Sequence, residues 1–286
     1  MSIACLFPGQ GSQSKGMGRD LFDRFADWTA EADAILGYSI RDLCLEDRGG
    51  MLGQTAFTQP ALFVVNAMTY RARQDGGKPA PAFVAGHSLG EYNALLAASV
   101  FDFGAGLRLV QERGRLMGGV HGAGMSAVIG LEPAVIEGVL AANAAGAALD
   151  VANFNSFEQT VIAGPKPELA EIKPKLEEAG GRVIPLKVSA PFHSRYMRDV
   201  QSAFDRFLST VVLRPPSIPV IANLTAAPYS GDAIRETLAG QIASSVRWLD
   251  SMRYLLAQGV TEFEETGPGN VLGKLIVQIR KRASAP

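Results

Sequence analysis

The chain has 286 residues, of which 47% are hydrophobic and 19% charged, and its 27 Lys and Arg against 28 Asp and Glu give a formal net charge of −1. This composition predicts a globular protein with a large core and argues against a nucleic-acid footprint or a polybasic membrane patch. Two Cys and three His, with no His-x-x-x-His pair, argue against a disulfide framework and a metal site. With no basic leader and no apolar run near 18 residues, we expect a cytoplasmic protein.

Short apolar runs alternate with helical patterns in the first part of the chain. Strands are predicted at Ile3–Phe7 and Ala82–Ala85, and helices from Glu91 onward and over Gly104–Met117. This alternation is typical of a parallel α/β sheet.

From about residue 125 the predicted elements follow a different order. They are a strand at Met125–Leu131, a helix at Pro133–Asn143, strands at Leu149–Asn153 and Thr160–Ala163 joined by a turn over Asn153–Ser156, a helix at Glu168–Ala179 and a strand at Arg182–Val188. This β-α-β-β-α-β order is the ferredoxin-like unit. We therefore predict a ferredoxin-like small subdomain at residues 125–189, inserted into a larger α/β subdomain formed by residues 1–124 and 190–286.

The larger subdomain is predicted to resume after the insertion. Its elements are a helix after His193, a strand at Ile218–Ala222, helices near 231–243 and 247–258, a strand near Glu262–Glu264 and a helix after Gly269. The basic C-terminal run over residues 280–286 is predicted to be a frayed, solvated end.

A nucleophile elbow is the most specific local pattern. Gly86-His87-Ser88-Leu89-Gly90 lies between a predicted strand and a predicted helix, the context that a Gly-x-Ser-x-Gly nucleophile requires. The two glycines permit a sharp, strained turn, and the helix N-terminus that follows stabilises negative charge at Ser88. The backbone amide of Leu89 is the first candidate donor for an oxyanion hole.

A serine nucleophile needs a general base. His87 is badly placed because neighbouring side chains on an elbow diverge, and His121 lies in a Gly-rich surface segment. By elimination we favour His193, which follows a strand at the subdomain junction. Asp102 or Asp150 could orient its imidazole, and a dyad oriented by a backbone carbonyl is equally compatible with the pattern.

Six motifs occur in order along nearly the whole chain. They are Phe7-Pro8-Gly9-Gln10-Gly11-Ser12-Gln13, Gly86-His87-Ser88-Leu89-Gly90-Glu91, Gln111-Glu112-Arg113-Gly114, Asn153-Phe154-Asn155-Ser156, Phe192-His193-Ser194 and Gly267-Pro268-Gly269-Asn270-Val271-Leu272. Together they resemble the malonyl-CoA:acyl carrier protein transacylase family, which includes a bacterial fatty-acid enzyme and the acyltransferases of polyketide synthases. The resemblance implies an α/β-hydrolase-like core with a parallel sheet plus an inserted ferredoxin-like (βαββαβ) small subdomain.

The resemblance assigns the reaction to four positions. It implies Ser88 as the acylated nucleophile and His193 as its base. It implies the backbone amides of Gln10 and Leu89 as the oxyanion hole, a role that suits Gln10 because its glycine neighbours let the backbone approach a substrate closely.

Three further positions follow from the resemblance. It implies Arg113 as the residue that binds the malonyl carboxylate, and the planar guanidinium suits a carboxylate bidentately. A salt bridge to a protein acid is the alternative for Arg113, and it is the role we expect for Arg108 and Arg115. Gln241 matches the position whose backbone carbonyl orients the histidine, and Asn223 matches a further polar position near the site.

The residues beside the nucleophile and the base bear on acyl selectivity. Phe192 and Leu89 resemble malonyl-selective enzymes more than methylmalonyl-selective ones. The segment Ala190-Pro191-Phe192-His193 lacks the leading His of the modular malonyl motif, a departure that weakens the malonyl assignment.

The resemblance implies ping-pong transfer of a malonyl group from malonyl-CoA, through acyl-Ser88, to the phosphopantetheine thiol of an acyl carrier protein. It implies malonyl-CoA as a substrate, with no bound cofactor, no metal, no nucleic acid and no membrane partner. The motifs look most like free-standing acyltransferases of the disorazole type, which serve polyketide synthases in trans. A housekeeping fatty-acid transacylase, an acyl hydrolase that clears carrier proteins and a non-catalytic carrier-binding module are the alternatives. Arg182, Lys187 and Arg195 are candidate carrier contacts, with solvated surface charge as the simpler interpretation.

Overall fold

The structure is a computed structural model that describes residues 2–188 and 190–283. Its strands are β1 (Ile3–Phe7), β2 (Phe83–Gly86), β3 (Ala123–Ile129), β4 (Asp150–Ser156), β5 (Gln159–Pro165), β6 (Arg182–Pro185), β7 (Val220–Ile221) and β8 (Glu262–Glu265). Its α-helices are α1 (Ala26–Leu36), α2 (Ile40–Glu46), α3 (Thr55–Asp75), α4 (Gly90–Ala97), α5 (Phe103–Gly118), α6 (Pro133–Ala142), α7 (Lys166–Glu178), α8 (Arg198–Leu208), α9 (Ile234–Gly240), α10 (Trp248–Ala257) and α11 (Val271–Ala283). Short 3₁₀ helices occupy Met51–Gly53, Ala144–Ala148, Arg195–Met197, Gly231–Ala233 and Gln241–Ala243.

A parallel sheet with helices on both faces forms the larger part of the fold. Its strand order is β7-β2-β1-β8, and every pairing is parallel. Successive side chains of a strand point to opposite faces. Cys5 and Phe7 of β1 therefore pack into the core that contains residues of α3, α4 and α5, whereas Ala4 and Leu6 pack into the core that contains residues of α10 and α11. The predicted parallel α/β sheet is confirmed.

A second, antiparallel sheet carries the inserted part of the chain. Its strand order is β4-β5-β3-β6, and with α6 and α7 it gives the β-α-β-β-α-β order predicted from the sequence. A separate apolar core lies between this sheet and its two helices. We propose the predicted division into subdomains at 1–124 plus 190–286 and 125–189. The sheet begins at Ala123 and its last strand ends at Pro185, while residue 189 lies outside the described residues.

Two details of the predicted insertion are wrong. Asn153–Ser156 forms the second half of β4 instead of a turn, and the chain reverses at Phe157 and Glu158. The strand continues because the backbone amide of Phe154 donates to the carbonyl of Val246 at 2.9 Å, which satisfies a group that a turn would leave to solvent. The predicted strand Arg182–Val188 is shorter and ends at Pro185.

Three helices before β2 were not predicted. The longest, α3, has 21 residues with Pro60 inside it, and its side chains are buried without a break from Thr58 to Met68. A helix surrounded by protein has no polar face, so the periodic pattern that marks amphipathic helices is absent. No helix among the described residues combines the length and apolarity that a membrane span requires. The predicted frayed end lies partly in α11, and residues 284–286 are outside the described part.

Candidate active site

Ser88 lies on a sharp turn between β2 and α4. Its backbone has φ +51°, a left-handed conformation that costs energy for a residue with a side chain. The turn is tight: a Cβ on Gly86 would lie 1.9 Å from the carbonyl carbon of Gly90, and a Cβ on Gly90 would lie 2.0 Å from the carbonyl oxygen of Phe7. Only glycine fits either position, as the elbow motif predicts.

Asn223 holds this turn from the neighbouring strand. It follows β7, and its Oδ1 accepts a hydrogen bond of 2.7 Å from the backbone amide of Ser88. Its Nδ2 donates to the carbonyl of Gly86 at 2.7 Å. One buried amide thus bonds both sides of the elbow and supplies contacts that help to keep a strained backbone in place.

His193 lies against the serine in the position of a general base. Its Nε2 is 2.7 Å from Oγ of Ser88, and its Nδ1 is 2.8 Å from the backbone carbonyl of Gln241. A carbonyl only accepts, so Nδ1 carries the proton and Nε2 keeps a lone pair for the serine hydroxyl. Burial, and next the positive charge of Arg113, lower the pKa of His193 to about 3. The imidazole is therefore neutral at pH 7 and can accept a proton.

The other two histidines are not in contact with the nucleophile. Nε2 of His87 is 2.8 Å from Oδ1 of Asn155, and its ring centre is 5.4 Å from that of Trp248. His121 is exposed at the end of the helix-to-strand connection before β3. The structure thus places one of the three imidazoles, His193, beside Ser88.

Neither acid considered from the sequence reaches the imidazole. Asp102 caps α5 and accepts a hydrogen bond from the amide of Ala105 at 2.8 Å. Asp150 pairs with the side chain of Arg195 and also accepts from its backbone amide at 2.7 Å. The carbonyl of Gln241 occupies the place that a carboxylate takes in a triad, so the arrangement is a Ser-His dyad.

Arg113 extends from α5 to Ser88 and is 1% exposed. Its Nη1 donates to Oε1 of Gln59 at 2.7 Å, and its Nη2 donates to Oε1 of Gln241 at 2.9 Å and to Oγ of Ser88 at 3.1 Å. Its guanidinium carbon is 5.3 Å from the ring centre of Tyr92. Among the described residues none of its hydrogen bonds goes to a carboxylate, so the salt bridge considered as an alternative is not present.

A cavity of about 100 Å³ opens at the serine. Its lining includes the polar side chains of Ser88, His193 and Arg113 and the apolar side chains of Met125 and Phe192. Phe192 is 6% exposed and immediately precedes the base. The volume suits a short acyl group, and a cation lies among the lining residues.

The loop after β1 lies directly against the elbow. A Cβ on Gly9 would be 2.4 Å from the carbonyl oxygen of His87 and 3.7 Å from the backbone nitrogen of Leu89. The side chain of Gln10 is anchored by a bond of 3.4 Å from its Nε2 to Oγ1 of Thr55. This approach brings the backbone of Gly9, the neighbour of Gln10, beside the Leu89 amide, and a two-amide oxyanion hole needs two such segments close together.

The chain matches the family model for the acyl transferase domain over residues 5–275. The protein belongs to this acyltransferase family. It is an enzyme of the acyltransferase class, and the predicted family is confirmed.

Its curated relatives include polyketide and fatty-acid proteins. The chain is 51% identical to the polyketide biosynthesis protein ThaF of Burkholderia thailandensis over 96% of its own length, and it spans 24% of that protein. It is 49% identical to the polyketide biosynthesis malonyl CoA-acyl carrier protein transacylase PksC of Bacillus subtilis, over 99% of each chain. Identity to the malonyl CoA-acyl carrier protein transacylase of Escherichia coli is 39%, over 97% of this chain and 92% of that one.

A solved structure has the same fold over the whole chain. The crystal structure of a malonyl CoA-acyl carrier protein transacylase from Burkholderia pseudomallei superposes with a TM-score of 0.96, at 48% identity, and the match covers 100% of this chain and 99% of that one. This similarity confirms the predicted combination of a parallel α/β core with an inserted antiparallel subdomain.

Two residues of the acyltransferase site were missed or left unused by the sequence analysis. Gln59, a partner of Arg113, lies on α3, a helix that no periodic pattern marks. Glu91 follows the elbow and is completely buried. The sequence contained a sign of its importance, because an acid inside an apolar helix requires hydrogen-bond partners. Burial raises the pKa of Glu91 to about 7.

The candidate carrier contacts differ in their surroundings. Arg182 and Lys187 are exposed on the small subdomain. Arg195 is paired with Asp150, and its Nη1 also donates to the carbonyl of Ala147 at 3.2 Å. Arg195 therefore ties the loop after His193 to β4, which makes it a poor candidate for carrier docking.

Proposed function

We propose that the protein transfers a malonyl group from malonyl-CoA to the phosphopantetheine thiol of an acyl carrier protein, by way of an ester on Ser88. The observation that carries this proposal is the buried guanidinium of Arg113, which lies 3.1 Å from the nucleophilic oxygen with no protein carboxylate bonded to it. Burying a cation without a bonded counter-ion is costly. A substrate carboxylate that binds there offsets that cost, and the malonyl group has one.

Acylation begins with the serine hydroxyl. Ser88 passes its proton to Nε2 of His193 as Oγ attacks the thioester carbonyl. The amides of Gln10 and Leu89 stabilise the resulting oxyanion. The tetrahedral intermediate collapses, the carbon–sulfur bond breaks, and the CoA sulfur leaves with the proton from His193.

Arg113 changes partners during this step. In the free enzyme Nη2 donates to Oγ of Ser88. An ester oxygen is a weaker acceptor than a hydroxyl, so acylation releases this N–H toward the malonyl carboxylate. Gln59 and Gln241 keep the guanidinium in place while that exchange occurs.

The second half-reaction repeats the first in reverse. His193 takes the proton of the carrier's thiol, the sulfur attacks malonyl-Ser88, and Ser88 leaves as the alcohol with the proton from His193. Water competes with the thiol. A cavity of about 100 Å³ that is filled by the acyl group leaves little room for water, which favours transfer over the hydrolase alternative.

We place the enzyme with polyketide biosynthesis, with the carrier supplied in trans. The support is the higher identity to the PksC transacylase, a relative matched along its whole length, than to the Escherichia coli transacylase. The two free cysteines, Cys5 and Cys44, are buried and fit a reducing compartment such as the cytoplasm. A fatty-acid transacylase is the second candidate, because the chain is also similar to the Escherichia coli transacylase over most of its length.

Intact mass spectrometry tests the proposal. Malonyl-CoA should add the mass of one malonyl group to the wild type, and free pantetheine or a phosphopantetheinylated carrier should remove it as a thioester. Ser88→Ala should carry no adduct. Ser99→Ala is the matched control, because Ser99 is a second serine with a positive φ (61°), and it should acylate normally.

Two outcomes would contradict parts of the proposal. Release of free malonate as the main product would identify a hydrolase. A malonyl adduct that persists in Ser88→Ala would place the nucleophile elsewhere. Rates with a polyketide carrier and a fatty-acid carrier, measured side by side, decide between the two pathways.

A further inference from the structure

Glu91 is a buried acid for which the reaction outlined above has no use. It lies three residues after the nucleophile, near the start of α4, and is completely buried. One carboxylate oxygen accepts a hydrogen bond from the hydroxyl of Tyr229. The other accepts from Nε2 of Gln241 at 2.7 Å and from the backbone amide of Asn223 at 3.3 Å.

Gln241 connects this acid to the reacting groups. The same Nε2 that donates to Glu91 also donates to the carbonyl of Ser88 at 2.8 Å. On the opposite side of the amide, Oε1 accepts from Nη2 of Arg113, and the backbone carbonyl of Gln241 accepts from Nδ1 of His193. One residue therefore contacts the nucleophile, the base and the cation.

The donors and acceptors around Gln241 allow one orientation of its amide. Glu91 and the carbonyl of Ser88 are acceptors, so both require the NH₂ group to face them. Arg113 is only a donor and requires the oxygen. The bond to Glu91 is 2.7 Å and the bond to the Ser88 carbonyl is 2.8 Å, so the carboxyl group is one of two close partners that fix the amide.

We infer that Glu91 is a positioning residue for acyl selectivity: it holds the Gln241 amide so that Arg113 faces the acyl cavity beside Ser88. This inference rests on the proposed function, because it assigns the held guanidinium to the malonyl carboxylate. Glu91 itself does not touch Ser88 Oγ or the cavity.

Removing the carboxylate of Glu91 should disturb the position of the Arg113 side chain more than it disturbs the fold. In Glu91→Ala the Gln241 side chain keeps one partner on its NH₂ side, the Ser88 carbonyl, and gains space to move. The guanidinium of Arg113 then loses the fixed acceptor that Oε1 of Gln241 provides, and its orientation toward the cavity is no longer held. We expect the ratio of kcat/KM for malonyl-CoA to that for acetyl-CoA to fall at least about tenfold, since acetyl-CoA does not use the guanidinium.

Glu91→Gln should recover most of that ratio. Its amide oxygen can accept from Gln241 and Asn223, and its NH₂ can donate to the hydroxyl of Tyr229, so the same three partners are satisfied. Glu112→Gln is the matched control: it neutralises an acid on α5 that pairs with Arg115 on the surface, and the ratio should not change.

The experiment measures both kcat/KM values for the wild type and each variant, with circular dichroism to confirm folding. A folded Glu91→Ala enzyme whose two rates fall by one factor would overturn the inference, because Glu91 would then be structural. If Glu91→Ala does not fold, Glu91→Asp decides, since its carboxylate is one methylene shorter and should lower the ratio. An unchanged ratio in Glu91→Asp overturns the inference, whereas a wild type without malonyl transfer overturns the proposed function instead.

Discussion

Replacing Arg113 with alanine should remove malonyl selectivity and leave acetyl transfer largely intact. The guanidinium is 1% exposed and is held by bonds of 2.7 Å to Gln59 and 2.9 Å to Gln241. A hydrogen bond between charged partners in such a site contributes about 1.5–3 kcal/mol, which corresponds to about 10- to 100-fold in rate. We expect kcat/KM for malonyl-CoA to fall by that factor.

Acetyl-CoA should respond differently because it carries no carboxylate. With acetyl-CoA the wild type keeps a buried cation that has no bonded carboxylate, and the alanine variant does not. Its kcat/KM should therefore stay within a few-fold of the wild type or rise. Lysine should rescue malonyl transfer only in part, since a single ammonium cannot hold two glutamine acceptors and present a planar fork to a carboxylate.

The assay is steady-state transfer to a phosphopantetheinylated carrier with each acyl-CoA. Arg115→Ala is the control: it removes the same charge two residues further along α5, where the side chain is exposed and paired with Glu112. Its malonyl-to-acetyl ratio should equal that of the wild type. If Arg113→Ala lowered both rates equally while still folded, the guanidinium would be structural and the reasoning above would fail.

Four further results are expected. His193→Ala should slow acylation by about 10²–10⁴-fold, while His121→Ala should be silent in the same stopped-flow measurement. The acid limb of the kcat/KM profile should lie well below pH 6.5, since burial and next the charge of Arg113 lower the pKa of His193 to about 3. Arg113→Ala removes that charge and should move the limb to higher pH. A limb near pH 6.5 in the wild type would contradict the burial argument. Phe192→Ala should raise the methylmalonyl-to-malonyl ratio by about 10-fold or more, because the added methyl gains space. Burial raises the pKa of Glu91 from 4.5 to about 7, so the free energy of unfolding of the wild type should fall as pH rises through that range. Glu91→Gln lacks this titration. In urea titrations between pH 4.5 and 8 its free energy of unfolding should therefore rise by about 3 kcal/mol relative to that of the wild type.

Local patterns predicted the parts of the site that are close together in the chain. The elbow around Ser88 was predictable because a strand, two glycines and a helix occur within a few residues and each has its own signature. The element order of the small subdomain was predictable in the same way, since its strands and helices follow the β-α-β-β-α-β order of the ferredoxin-like unit.

Contacts between distant residues were beyond such patterns. Asn223 bonds to Ser88 across 135 residues and Gln241 across 153, and no local pattern assigns either residue to the site. Both positions came from the resemblance to a known family. Gln59 came from neither source, because α3 is buried on all sides and lacks the polar face by which a helix is recognised.

The Arg113 cation and the His193 base are coupled through their charges as well as through Gln241. In the free enzyme burial, and next the cation, disfavour a protonated imidazole and lower the pKa of His193, which makes the base weak. Under the proposed function, a malonyl carboxylate bound to Arg113 would offset that charge, so the base would become stronger when the correct acyl group arrives. An acetyl group has no carboxylate to offset the charge, so His193 would remain the weaker base when acetyl-CoA binds. On this proposal one guanidinium contributes to selectivity twice, first by binding the carboxylate and then by allowing proton transfer from Ser88.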